Sequence, residues 1–178
     1  MIANKIDQPW THWIADDFLS VACLHEVKNI DHGVTQLVPG KRRDSQRLFI
    51  TDSVADQYPH LYLLYQSLHL GEYRDFFEHH TGLSYQGLYP RLEVISDIGD
   101  FYLEPHYDHF EKRLTALVYT DYATLYPGTG LGDGTRVESR DNRCFFFVPG
   151  PHSLHDYPAT HFATVRRCLQ LNYWTYSA

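Results

Sequence analysis

The stretch FYLEPHYDHFEKRLTALVYT, residues 101–120, decides how this chain is interpreted. His106 and Asp108 are two residues apart, and side chains two apart on an extended segment point to the same side. One metal ion could therefore bind an imidazole nitrogen and a carboxylate oxygen from this segment. A second histidine would complete two histidines and one carboxylate on one face of an octahedron, the ligand set of non-haem Fe(II) oxygenases.

Two candidates for that third ligand lie downstream in FFFVPGPHSLHDYP, residues 145–158. His152 and His155 are three residues apart, so on an extended segment they face opposite ways and only one is expected to point inward. Spacing alone does not choose between them.

The segment VRRCLQLNYW, residues 165–174, predicts a buried strand with one apolar and one more polar face. Leu169, Leu171 and Tyr173 form the apolar face, and Arg166, Cys168, Gln170 and Asn172 the polar one. A buried arginine needs an anionic partner, because an unpaired buried charge is costly. Since a guanidinium matches a carboxylate through two parallel hydrogen bonds, we expect Arg166 to bind a carboxylate.

Composition excludes several classes of protein. The chain has 178 residues and a formal charge of −7, with one dense basic run at 41–43, so nucleic acid is not expected as the main partner. Cys23, Cys144 and Cys168 are too few and too scattered for a disulfide framework or a zinc cluster, which favours a reduced, cytoplasmic setting. We expect neither a signal peptide nor a membrane-spanning segment, because no long apolar run is present.

Helical patterns come first along the chain. They predict a first helix capped by Asp16 or Asp17 and ended by residues 31–33, and further helices over 56–69 and 72–80. Thr81-Gly82 is a stop signal. Residues 34–51 are expected to form strands around a turn at 39–45.

After Gly82 the pattern changes to short aromatic or β-branched segments, which predict strands at 88–95, 101–108, 114–120, 143–149 and 165–175. Helices followed by strands favour an α+β, mostly β fold, with helices packed on one face of a sheet sandwich or jelly roll. Residues 121–142 are expected to form a long loop that acts as a lid or substrate loop. No linker divides the chain, so we expect a single domain over 1–178, with 1–82 as a mainly helical buttress and 83–178 as the β core.

Together these segments resemble the Fe(II)/2-oxoglutarate-dependent oxygenase superfamily, in its prolyl-hydroxylase-like branch of small bacterial members. The resemblance runs from about Leu88 to Trp174 and implies a double-stranded β-helix (jelly roll) with the N-terminal helices on its major sheet. Taken alone, the His-x-Asp motif is a weak signal. The specificity comes from the order of that motif, a distal histidine and an arginine that begins the last strand.

The resemblance also implies roles for individual residues. The metal ligands would be His106, Asp108 and His155, because the family's distal tripeptide aligns with residues 154–156. The arginine for 2-oxoglutarate falls on Arg166, and the small polar residue two positions later falls on Cys168. Tyr119 matches a family tyrosine that contacts the same carboxylate. The chain departs from the family pattern in two places: Tyr-Thr-Asp follows where Tyr-Leu-Asn is usual, and Asp100 replaces a glycine.

The implied activity is hydroxylation of a substrate C–H bond, coupled to conversion of 2-oxoglutarate and O₂ into succinate and CO₂. Fe(II) would be the metal and ascorbate a candidate reductant. We expect a small-molecule or amino-acid-like substrate, because the chain carries no appended docking domain. The alternatives are a peptidyl (prolyl-type) hydroxylase, a cupin-type metalloenzyme without 2-oxoglutarate, and a binding module without activity. Arg91 either pairs near Glu93 or contacts a substrate acid.

Overall fold

The computed structural model describes residues 1–30, 43–120 and 127–176. Three helices lie in these ranges: α1 (Val21–Lys28), α2 (Pro59–His69) and α3 (Glu72–Thr81), with a 3₁₀ turn at Asp52–Val54. The strands there are β1 (Asn4–Ile6), β2 (His12–Ala15), β3 (Arg43–Phe49), β4 (Tyr89–His106), β5 (Lys112–Tyr119), β6 (Thr129–Gly130), β7 (Arg136–Val137), β8 (Arg143–Phe147) and β9 (His155–Trp174). Across the described ranges, each helix is too short and too polar to cross a bilayer.

The first helix begins later than the sequence pattern predicts. Its N-cap is Ser20, whose hydroxyl accepts the N–H of Cys23 at 3.2 Å, so the predicted capping by Asp16 or Asp17 is wrong. Asp17 has a left-handed backbone with φ of 52°. The apolar residues at 18 and 19 that suggested a helical turn are buried just ahead of the helix. The predicted end of this helix, 31–33, lies outside the described residues.

The other two helices lie close to their predicted positions. α2 begins at Pro59, three residues later than expected, and proline is well suited to a first helical position because it has no N–H to leave unpaired. α3 ends at Thr81, and Gly82 follows as its C-cap. The φ of 71° at Gly82 is the left-handed conformation that the Thr-Gly pair predicts. Strands are expected over 34–51. Residues 34–42 lie outside the described residues, and β3 is the strand in the rest of this range.

The strands form an antiparallel sheet in the order β1-β2-β8-β5-β9-β4-β3, with β6 pairing with β7 and β9. β4 and β9 are much longer than predicted, with 18 and 20 residues, and pair with each other along their length. The predicted strands 88–95 and 101–108 are thus two parts of one strand. Register shifts beside Gly99, whose φ is 71°, bend the pair. The sheet curls over itself, and the predicted jelly-roll fold class is confirmed.

Alternation along the central strands separates a core from a cavity. The outer face of the sheet packs on the helices through side chains such as Leu171 and Tyr173 of β9 and Leu61 and Phe77 of the helices. The opposite face of β9 carries Arg166, Cys168, Gln170 and Asn172, which line a cavity. The two faces of this strand therefore divide as its sequence pattern predicts.

Candidate metal centre

The curled sheet encloses a cavity of about 410 Å³. The second half of β4 and the first half of β9 supply one wall, and the first half of β4, the second half of β9 and β5 supply the other. Its lining is rich in charged and polar groups, including Arg47, Arg91, Glu93, Asp97, Asp108, Lys112, Thr115, His106, His155 and Arg166. A concave site of this size with convergent polar groups is the usual place for a ligand.

The structure brings His106, Asp108 and His155 together in this cavity. One ligand atom from each lies within 4.8 Å of the others. His106 ends β4 and His155 begins β9, and the two residues are register partners, so their ring centroids are 4.3 Å apart. Asp108 follows two residues after the end of β4. Two imidazoles and one carboxylate at this spacing can occupy one face of a metal's coordination sphere.

Backbone carbonyls fix the tautomer of both histidines. The Nδ1 atom of His106 lies 2.9 Å from the carbonyl oxygen of Glu104, and that of His155 lies 2.9 Å from the carbonyl oxygen of Ser153. A carbonyl only accepts, so in each neutral ring Nδ1 carries the proton and Nε2 keeps its lone pair. The residues present therefore fit a divalent cation bound through two Nε2 atoms.

Neighbouring groups hold the third ligand as an anion. The ammonium of Lys112 and the hydroxyl of Thr115 each donate to Asp108 at 2.6 Å. Burial raises the pKa of Asp108, but the charge of Lys112 and these hydrogen bonds outweigh it and lower the pKa below its ordinary value. Burial lowers the pKa of His155, so its ring is neutral at neutral pH. Both groups are thus in their metal-binding protonation states.

A network behind Asp108 fixes its orientation. The Thr115 hydroxyl also lies 3.0 Å from the side-chain amide of Asn172, its register partner on β9. A hydroxyl has one proton to donate, and here it goes to the carboxylate. Asn172 completes the network when its amide nitrogen faces the Thr115 oxygen. Sequence reasoning did not identify Lys112, Thr115 or Asn172. The alternation of side chains along β5 and β9 was the signal that could have placed these residues on the face towards the cavity.

Arg166 lies in the same cavity and already has a carboxylate partner. Its Nη1 donates to Oδ2 of Asp97 at 2.6 Å, and the two side chains are 7% and 2% exposed. The rings of Tyr157 and Phe162 lie 4.7 and 5.6 Å from the guanidinium carbon. Sequence reasoning missed Asp97, although the alternation of RLEVISD places it on the same face as Arg91 and Glu93.

The other two residues expected to contact 2-oxoglutarate are close to Arg166. Tyr119 is fully buried, is the register partner of Cys168, and its hydroxyl lies 2.6 Å from that of Thr129. Burial raises the pKa of Tyr119 to about 12, so it is a neutral phenol able to donate a hydrogen bond. Cys168 is buried and lines the cavity.

Several residues weighed from the sequence lie outside the metal cluster. His152 is exposed and lines a separate surface depression beside Trp10 and Trp13. His161 is exposed and contacts Asp100 at 2.7 Å. Arg167 points away from the cavity and donates to the carbonyl of Ile30 at 3.2 Å.

Solved structures with this fold include two prolyl hydroxylases and HygX. The chain superposes on the viral collagen prolyl hydroxylase of Paramecium bursaria Chlorella virus-1, solved with 2-oxoglutarate, at a TM-score of 0.63 and 12% identity over 93% of this chain and 96% of the other. A Pseudomonas putida prolyl-4-hydroxylase gives 0.63 and 17%, over 93% of both chains. HygX of Streptomyces hygroscopicus, solved with nickel and 2-oxoglutarate, gives 0.60 and 12%, over 92% and 82%.

No family model and no curated protein sequence matches the chain. At these identities the likeness shows the fold alone, which is the fold of these oxygenases. The resemblance predicted from the sequence is confirmed at that level, and the His-Asp-His cluster fits Fe(II).

Proposed function

We propose that the protein is an Fe(II)- and 2-oxoglutarate-dependent oxygenase that hydroxylates a C–H bond of a small molecule. The observation that carries the proposal is the cluster of His106, Asp108 and His155, with both Nε2 atoms available and the carboxylate held as an anion. The fold supports it, because two structural neighbours were solved with 2-oxoglutarate.

The chain's own residues would have separate tasks. His106, Asp108 and His155 would hold Fe(II), which together with 2-oxoglutarate and O₂ supplies the oxidant and releases succinate and CO₂. Arg166 would bind the far carboxylate of 2-oxoglutarate, with the phenol of Tyr119 as a second donor. Nearby apolar side chains from β4 and β5 would exclude water from the chain of the co-substrate.

The ion pair with Asp97 adds a condition to this binding. A guanidinium has five N–H donors, and the 2.6 Å hydrogen bond to Asp97 uses Nη1. 2-Oxoglutarate would therefore share Arg166 with Asp97, whose carboxylate repels the far carboxylate of the co-substrate. We infer that the hydrogen bond from Arg166 to Asp97 holds the arginine side chain in its orientation inside the cavity before the co-substrate binds.

The same ion pair favours a second candidate function. Because Asp97 already neutralises Arg166, the arginine has a structural reason to be buried. In a metalloenzyme of the jelly-roll class that uses no 2-oxoglutarate, the metal cluster would be retained and Arg166 would serve the fold. A peptidyl prolyl hydroxylase is the further alternative among oxygenases, since two neighbours are named as prolyl hydroxylases.

Anaerobic titration separates an oxygenase from the metalloenzyme that uses no 2-oxoglutarate. We expect the Fe(II)-loaded protein to develop a weak visible charge-transfer band on addition of 2-oxoglutarate, and to form succinate when O₂ is admitted. His155→Ala should abolish both signals. The double variant Asp97→Asn/Arg166→Met removes both charges of the buried pair and should raise the 2-oxoglutarate concentration required at least tenfold. Tight Fe(II) binding with neither band nor succinate would instead support the metalloenzyme without 2-oxoglutarate.

A further inference from the structure

A second cluster of charges lines the metal cavity, away from Arg166. Glu93 on β4 is 1% exposed, and its carboxylate lies between two arginines. The Nη1 atom of Arg47 on β3 donates to Glu93 at 2.7 Å. Arg91 reaches the two oxygens of the same carboxylate from one nitrogen, Nη2, at 3.3 and 3.4 Å. Glu93 is thus bound mainly by Arg47, and the contact with Arg91 is longer and weaker.

Arg91 keeps donors that Glu93 does not use. Its hydrogen bonds to Glu93 involve Nη2 alone, and its Nε is buried without a hydrogen-bond partner among the described residues. Its guanidinium carbon lies 4.8 Å from the ring centroid of Phe49 and 6.0 Å from that of Trp174. The aromatic rings cover part of the guanidinium of Arg91, whose side chain is 33% exposed, and this partial removal of water strengthens any further ion pair that it forms.

The charges at this end of the cavity do not cancel. Arg47 and Arg91 supply two positive charges against the single negative charge of Glu93. Lys112 adds a third positive charge, and its partner Asp108 is a predicted metal ligand. The chain as a whole has a formal charge of −7, so this local excess of positive charge is opposite in sign to the protein. It favours an anion that enters the cavity.

Trp174 connects this cluster with the metal site. The ring of Trp174 lies between Arg91, at 6.0 Å, and the ammonium of Lys112, at 5.5 Å, while Lys112 contacts Asp108. Both charge clusters also line the one cavity. A molecule bound at Arg91 therefore lies in the compartment into which the metal ligands project.

We propose that Arg91, with Arg47 behind it, binds the carboxylate of the substrate, so that the substrate is a small carboxylic acid. The oxidation of that acid depends on the proposed function, whereas its binding does not. One excess positive charge in the Arg47–Glu93–Arg91 cluster matches one carboxylate, and the planar fork of an arginine matches its two oxygens. Trp174, which also lines the metal cavity, would contact the apolar part of the acid.

Arginine-labelled NMR tests the binding directly. The full chain is loaded with Zn(II), which is diamagnetic, and titrated with butyrate and benzoate, with butyramide and benzamide as neutral analogues of the same shape. We expect the acids, and not the amides, to shift the Nε–Hε resonance of Arg91, which is assigned by its loss in Arg91→Met. That variant should fold, because Glu93 keeps its 2.7 Å bond to Arg47.

The variants separate Arg91 from the other arginines. Arg91→Met should weaken binding of butyrate and benzoate at least tenfold, measured by calorimetry. Arg140→Met removes an equal charge from an exposed side chain paired with Asp16 and should leave the affinity unchanged. Equal binding of acids and amides, stronger binding of inorganic phosphate, or loss of binding in Asp97→Asn/Arg166→Met with retention in Arg91→Met would each overturn the proposal.

The Fe(II)-loaded protein, assayed beside the Zn(II)-loaded protein, distinguishes failure of this inference from failure of the proposed function. Succinate formation without binding of carboxylic acids at Arg91 would refute the substrate class and leave the oxygenase intact. Binding of the acids at Arg91 without a 2-oxoglutarate signal would support the anion site and refute the oxygenase. When both hold, carboxylic acids that bind should increase succinate release from the Fe(II) protein, and Arg91→Met should abolish that increase.

Discussion

The same local hydrogen bond orients the rings of His106 and His155 for metal binding. Each ring donates Nδ1–H to a backbone carbonyl two residues earlier in the chain, which leaves Nε2 as the ligand atom. Because these bonds form within each segment, the rings hold their orientation without an ion. Spacing could not choose between His152 and His155 as the third ligand, but their environments differ. His155 is 6% exposed, whereas His152 faces solvent.

Substitution of the two histidines should give opposite results. His155→Ala removes a metal ligand and should reduce Fe(II) affinity by more than about 100-fold, since loss of an outer hydrogen bond alone costs 10–100-fold. His152→Ala should leave the affinity unchanged. Equilibrium competition with a metal-binding dye measures both. Equal and mild effects of the two substitutions would contradict the assigned ligand set.

At Asp97 a substitution should have opposing effects on stability and on binding. Asp97→Asn leaves the buried charge of Arg166 without its counter-ion, which should lower the free energy of unfolding by about 3 kcal/mol. The same change removes a negative charge from the proposed binding place of 2-oxoglutarate. Its dissociation constant should therefore fall about tenfold, as measured by calorimetry with the Zn(II) protein. A weaker or unchanged affinity would show that the orienting effect of Asp97 on Arg166 outweighs its repulsion of the co-substrate.

At the scale of single elements, α1 shows how a cap overrides an apolar pattern. Phe18 and Leu19 extend the helical spacing towards the N-terminus, but Ser20 supplies the hydroxyl that accepts a backbone N–H. Ser20→Ala should lower the free energy of unfolding by about 1 kcal/mol, measured by urea denaturation. Val21→Ala, at a side chain 86% exposed, should change it by less than about 0.5 kcal/mol. A larger effect at Val21 than at Ser20 would contradict this assignment of the cap.

β2 carries a buried histidine that makes stability depend on pH. His12 is 2% exposed, and burial lowers its pKa although the carbonyl of Trp10 accepts a hydrogen bond from it. The unfolded chain therefore binds a proton at higher pH than the folded chain. Stability from this group is complete above the ordinary histidine pKa and declines as pH falls through it, by at most about 1.4 kcal/mol per pH unit.

The test compares unfolding at pH 8 and pH 5.5. Wild type should lose more stability over this interval than His12→Phe, because phenylalanine cannot take up the proton and fits among the neighbouring rings of Trp10 and Phe145. The comparison uses the difference between the two pH values for each protein, so a constant cost of the substitution cancels. Identical losses would show that His12 does not contribute.

Along β4 and β9, the sequence predicts faces but not lengths. Alternation from Cys168 to Tyr173 predicts which side chains enter the core and which enter the cavity, and the structure agrees. It does not predict that residues 96–100 continue the strand through a bend, because Gly99 and the acids beside it are typical of turns. Long-range register decides that bend, and with it the pairing of Asp97 with Arg166.

At the scale of the whole molecule, the order of elements predicted the fold class because most of the sheet follows the helices along the chain, although β1, β2 and β3 precede α2. The three candidate metal ligands were accessible to sequence reasoning, since a short motif and a resemblance point to them, and the structure brings them together. The charge clusters were less accessible. Glu93, Arg47 and Arg91 come from two strands paired across the sheet, and their shared carboxylate follows from tertiary pairing that local patterns do not contain.

Because metal and co-substrate bind only the folded chain, both should stabilise the whole molecule. Ni(II) should raise the midpoint of thermal unfolding. 2-Oxoglutarate at 100 times its dissociation constant should raise the midpoint further, because it adds about 2.7 kcal/mol to the free energy of unfolding. Asp97→Asn/Arg166→Met should keep the increase caused by Ni(II) and lose most of the increase caused by 2-oxoglutarate. Asp108→Ala should lose both, because the co-substrate would chelate the same ion. If the double variant retains the full increase from 2-oxoglutarate, that acid binds elsewhere, and Arg166 belongs to the fold alone.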